Sequence, residues 1–297
     1  MVDLAIDRAP DRPPSMDFGI TIEFEPSYGE PSRIFRAMTG LIEACETIDT
    51  DLAASISIRV TPVVVLEDVQ VSSLTAWLRY ILTSVDDDAL KHLDWKSAVG
   101  AYLVKAKKRF IEFVDRRETV ESATEVYRLR GMLQEAAAEA GLTLISLNAP
   151  VPAPRVAEDL RLFSEATTPL LPEDSAQFVT PEGGVPINTS FRLTSDQIER
   201  ILTHETTTSH EEMVLMVKKP DFLGDSMWDF RHEGKRIPAR VLDTNWLDSF
   251  RRGAVALRSG DALRAWVEIQ TNIGTDQEVL GTHYRVLRVL EVIARTR

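Results

Sequence analysis

The 297-residue chain is 44% hydrophobic and 27% charged, the balance of an ordinary folded protein and too apolar for a disordered one. Its length suits two hydrophobic cores better than one. The formal net charge is −12, and a cut near Ala153 leaves 16 basic and 24 acidic residues before it and 18 and 22 after it, or −8 and −4. A field of that sign opposes phosphate backbones and anionic lipids, so a nucleic acid is a disfavoured partner and a membrane is not expected.

The single cysteine, Cys45, excludes an internal disulfide framework. The start carries Asp3, Asp7 and Asp11 with no apolar run, unlike a secretory signal, and no stretch is apolar enough to span a bilayer. A cytoplasmic protein is the expectation.

In chain order, residues 1–16 hold Pro10, Pro13 and Pro14 among charges and read as a disordered tail. Phe18, Ile20, Ile22 and Phe24 alternate with smaller or polar residues, the period of a strand. Ile34, Phe35, Met38, Leu41, Ile42 and Cys45 form one helical stripe after Pro31. Ile56, Ile58 and Val60 alternate again, and Pro62 before the run Val63–Leu66 argues for a sheet edge, bulge or strand junction. Leu74, Trp77, Leu78, Ile81 and Leu82 share a helical face, with Ser72 or Ser73 as cap. A short helix is expected to begin at Asp86 to Asp88, a long one to cover 95–114, and another 122–140, closed by Gly141.

Three prolines in Asn148–Pro154 predict a linker, with a helix over 155–166 leading out of it. Beyond it come a turn at Pro181-Glu182-Gly183-Gly184 and a capping box of Thr194 and Gln197. Met213, Leu215 and Val217 alternate as in a strand, and a hairpin turns at His232–Lys235. A short helix over 245–252 stops at Gly253, a turn follows at Ser259–Asp261, and strands cover 263–269 and 284–292. The fold class is therefore α+β: a mixed strand and helix domain over 17–147, a proline-rich linker at 148–154, and an antiparallel β-rich domain with short helices over 155–297.

Chemistry-bearing residues are scattered. Pro220-Asp221, followed by Glu233-Gly234-Lys235, has the residue types of a Mg²⁺-dependent nuclease, two carboxylates for the metal and a lysine for the water. The acid and lysine, however, fall on a hairpin turn rather than in the body of a strand. His204, Glu205 and His210 lack the one-turn spacing that aims two imidazoles at one zinc ion. Cys45 lies on an apolar stripe, and neither a phosphate loop nor a nucleophile elbow is present. Lys105, Lys108 and Arg109 lie on one side of the long helix, with Lys107 set apart from them, and could meet a phosphate-bearing ligand or form a solvated face.

The stretch Leu66–Leu82, followed by Leu93-Asp94-Trp95-Lys96 and Tyr102–Lys107, resembles uncharacterised bacterial accessory proteins of mobile-element or phage-defence islands, as does Trp228-Asp229-Phe230 through Gly260-Asp261. The resemblance implies a multi-component bacterial system, which could be an anti-phage one, and brings no catalytic residues. The reading that follows is a noncatalytic adaptor for a protein partner, with no cofactor. The alternatives are a nuclease using Asp221, Glu233 and Lys235, and a nucleic-acid or nucleotide sensor using Lys105, Lys108 and Arg109.

Overall fold

The computed structural model describes residues 13, 15–25, 29–56, 59–70, 73–84, 94–142, 150–221, 227–258 and 260–294. They form two compact units, Met1–Ile201 and Leu202–Arg297, and the fold is α+β as expected. Among the described residues no helix is long and apolar enough to cross a membrane.

The first unit is built on an antiparallel sheet of five strands in the order β2-β3-β1-β4-β5. These are β1 (Phe18–Glu23), β2 (Val60–Gln70), β3 (Leu74–Ser84), β4 (Ser175–Thr180) and β5 (Gly183–Ile187). Phe18, Ile20 and Ile22 on β1 register beside Leu78, Ala76 and Leu74 on β3, which puts these apolar side chains on one face. On the opposite face Gly19 lies across from Trp77, and a Cβ at Gly19 would sit 2.5 Å from the Trp77 ring. Glycine there lets the indole lie flat on the strand. Pro62 sits in β2, the edge strand, where its missing N–H leaves no ladder bond unmade, and a bulge follows between Leu66 and Asp68.

Helices α1 (Ser32–Ala54), α2 (Trp95–Val114), α3 (Ala123–Glu139) and α4 (Ala153–Thr167) pack in pairs, α4 along α1 and α3 along α2. Gly40 permits the first close approach, since a Cβ there would lie 3.1 Å from the Ala166 backbone. Asn188 donates to the carbonyls of Val114 and Arg117 at 3.0 and 2.8 Å and so satisfies the end of α2. Thr194 and Gln197 exchange the two capping-box bonds, at 2.8 and 3.3 Å, at the start of α5 (Ser195–Leu202).

Three expectations need correction or fall outside the description. Residues 74–82 are strand rather than helix: β3 lies between β2 and β1 with both faces covered over much of its length. Apolar residues on both faces then reproduce a helical spacing by accident. The division between units falls at 201/202 and not at 148–154, because α4 packs on α1 and β4 pairs with β1. The start at 86–88 of the expected short helix lies outside the described residues, as do most of the tail and part of the expected linker.

The second unit is a closed five-stranded barrel in the order β10-β8-β7-β6-β9. Its strands are β6 (Glu205–Lys219), β7 (Trp228–His232), β8 (Lys235–Val241), β9 (Ala262–Ile273) and β10 (Val279–Ile293). All pairings are antiparallel except that of β10 with β8, and α6 (Thr244–Arg251) joins β8 to β9. That connectivity, with one parallel contact and a helix between the third and fourth strands, is the arrangement of an OB-type barrel. Met213, Leu215 and Val217 project inward from β6 to meet Trp228, Phe230 and Leu263, and Leu247 and Phe250 of α6 join the same core. Asp243 caps α6, accepting from Trp246 N at 3.1 Å, and its other oxygen accepts from Val289 N at 3.0 Å, which ties the helix to β10.

Candidate functional site

A cleft of about 840 Å³ opens in the first unit between α2, the end of α3 and the β4–β5 turn. Tyr80 and Leu82 of β3 and Gly100 and Val104 of α2 contribute to its lining. The volume lies within the range of ligand-binding clefts. Lys105, Lys108 and Arg109 also line it, so the structure gathers the three cations that sequence spacing placed on one side of α2.

These cations are not bare. Glu139 of α3 lies 3.3 Å from Lys105 and 3.1 Å from Arg109, and Glu182 of the β4–β5 turn lies 4.0 Å from Lys108. Asp17 and Glu112 are further lining acids. The rim therefore alternates in sign instead of presenting one positive field.

Beneath the cleft is a buried polar set. Lys107 points away from the rim and is 1% exposed, paired with Asp49 of α1, which is fully buried. Tyr80 Oη donates to Asp49 Oδ2 at 2.9 Å and lies in hydrogen-bond contact with Lys107. The ammonium of Lys107 also sits over the Phe18 and Tyr80 rings. Burial pushes the Asp49 carboxyl above the usual carboxylate range, with Lys107 pulling it back, and burial likewise raises the Tyr80 phenol. Cys45 is buried nearby, and desolvation pushes its thiol up to about 12, so it is no thiolate nucleophile.

The nuclease residues are not brought together. Asp221 follows the end of β6, beside the start of β7, where Lys219 registers with Asp229. Glu233 and Lys235 lie at the other end of β7, about 13 Å along the strand from Asp229 at the usual rise. Both are exposed; Glu233 and Gly234 have φ of 48° and 83°, as in a tight two-residue hairpin turn. His210 sits on β6, 3.5 Å from Glu268, and His204 precedes that strand. Among the described residues, no group of three or more His, Cys, Asp or Glu is placed to hold a metal ion.

Sequence reasoning missed Glu139, Glu182 and Tyr80, which reach the cleft from other elements. It also missed Asp49, whose place on α1 is polar in an otherwise apolar stripe. No protein-family model, curated protein or solved structure matches the chain.

Proposed function

We propose that this chain is a noncatalytic recognition protein whose first unit binds a segment of a partner protein in the cleft beside α2. The observation that carries the reading is the shared engagement of Glu139 by Lys105 and Arg109 on the cleft rim. Such pairs can exchange partners with the carboxylates and ammonium groups of an incoming polypeptide, while Leu82 and Val104 offer apolar contact within the cleft. The acids already holding Lys105, Lys108 and Arg109 favour a mixed-charge protein segment over a polyanion at this place.

Gly100 supplies the test. It lines the cleft within α2, and a Cβ there meets only Leu82 Cδ1, at 3.9 Å. Gly100→Phe should fill the cleft without breaking the helix. Native chain used as bait in its host should retain a partner through washing, and the Gly100→Phe chain, with an unaltered melting temperature, should lose it. A partner held equally by both, or a substrate turned over by the purified chain alone, overturns the proposal.

A further inference from the structure

The second unit carries none of the net charge. Residues 202–297 contain 14 Lys and Arg and 14 Asp and Glu, so the whole −12 belongs to residues 1–201. A cut near Ala153 hides this, because it assigns the acids of α4, of the segment before β4, of the β4–β5 turn and of α5 to the barrel. The charge argument against a polyanionic partner therefore applies to the first unit and not to the second.

Within the barrel, cations collect on one wall. Burial alternates along β7 and β8, with Phe230, Ile237, Ala239 and Val241 inward, so Arg231, Arg236 and Arg240 face outward. Arg231 stands directly opposite Arg236, and Arg240 lies beside Arg285 of β10 in the parallel pairing. Two like-charged cross-strand pairs thus sit on adjoining strands; Asp229 offsets Arg236 in the first and Glu268, 2.5 Å from Arg285, offsets that arginine in the second, which leaves Arg231 and Arg240 as the guanidiniums open to an added anion. Asp229 accepts from Arg236 Nε at 2.9 Å and Gly234 O from Arg231 Nε at 3.2 Å, which steadies both side chains. Arg240 has no acidic partner among the described residues. Met216, 45% exposed and opposite Arg231, and the exposed Pro238 between Arg236 and Arg240 add apolar surface among the guanidiniums.

We propose that the outer face of β7 and β8 binds single-stranded nucleic acid, with Arg231, Arg236 and Arg240 on phosphates and bases against Met216, Pro238 and the arginine planes. OB-type barrels present ligands on the same wall, a likeness of fold that fixes only the place; the charge arrangement carries the argument. The acidity of the first unit is screened beyond about 10 Å at 0.1 M salt.

The test is fluorescence anisotropy of a short labelled oligodeoxythymidine with the full chain across a salt series. The logarithm of the affinity should fall linearly with that of the salt, by roughly 0.7 for each phosphate neutralised. Arg236→Gln and Arg240→Gln should each flatten the slope by about 0.7, and together weaken binding by about tenfold or more at low salt. Arg236→Lys with Arg240→Lys should restore the slope, and circular dichroism should show all four variants folded. Gly100→Phe should leave oligonucleotide binding unchanged, which separates this site from the cleft. No binding at low salt, binding untouched by the double glutamine change, or equal competition by polyglutamate overturns the proposal.

Discussion

Lys107 Nζ lies 4.7 Å from the centre of the Phe18 ring while it pairs with Asp49, so one buried ammonium is held at once by an aromatic face and a carboxylate. Helix α1 supplies the acid, α2 the cation and the first strand the ring, which makes this contact a lock between three elements. Breaking half of such a pair is worse than replacing both halves, because the orphaned charge stays out of water.

Lys107→Met should therefore destabilise the chain by about 3–5 kcal/mol. Lys107→Met combined with Asp49→Leu should recover a large part of that loss. Urea unfolding measures both, and equal losses in the single and double variants would show that charge pairing is not the cause.

Two glycines should respond in opposite directions to alanine. At Gly19 the added Cβ would overlap the Trp77 ring, and the loss should be about 1–3 kcal/mol. At Gly131, in the middle of α3 with nothing within 4 Å of the position, the gain should be about 0.5–1 kcal/mol. Thermal melts of the two variants decide the matter.

Asp159 of α4 should make stability fall as pH rises. It is buried, and desolvation, reinforced by Asp51, pushes its carboxyl up to about 8. Between the ordinary value of 3.8 and about 8 the folded state keeps a proton that the unfolded chain has released, so stability declines across that window and levels above it. Asp49 is shifted in the same direction, so the readout is the difference between the native chain and Asp159→Asn in melting temperature from mildly acidic to alkaline pH. That difference should widen upward from pH 4; a constant gap would refute the assignment.

At the hairpin tip, Glu233 occupies a left-handed conformation, φ 48°, that a glutamate side chain tolerates poorly. Glu233→Asn, which gives the Asn-Gly pair such turns favour, should raise stability by up to about 1 kcal/mol. Under the nuclease reading the same change would remove a metal ligand.

Cys45 should react with a thiol reagent only as fast as the chain unfolds, since its thiol is buried and desolvation pushes it up to about 12. Labelling rates in increasing urea should follow the unfolding transition. Rapid labelling of the folded chain would contradict the burial.

The alternation of Met213, Leu215 and Val217, the turn at 233–234 and the glycine stops at 141 and 253 were all readable, because each is set by local geometry: inward side chains, or positive φ. Residues 74–82 misled because a strand covered on both sides has no polar face to reveal its period. The boundary misled for another reason. Prolines between 148 and 154 mark a local break, but no local signal tells that the strand at 175–180 returns to pair with the one at 18–23. The side of α2 bearing Lys105, Lys108 and Arg109 was legible from 100° spacing, and the offset of Lys107 was a true sign of its burial. Glu139 and Glu182 could not be assigned to those cations, because they arrive from a different helix and a hairpin turn. The outward arginines of β8 are legible in Ile237-Pro238-Ala239-Arg240-Val241, which alternates plainly, although the whole-chain charge masks the neutrality of the unit that carries them.

Strand β1, placed between β3 and β4, has a consequence for the order in which the molecule can be made. During synthesis β1 gains one neighbour once residue 78 has emerged and the other only after residue 179. For that interval its far side is an open template of backbone donors and acceptors, the kind of edge that recruits stray strands. Truncation anywhere before 175 would make the exposure permanent, so shortened products of this gene should collect in aggregates while a piece ending near 201 stays dispersed.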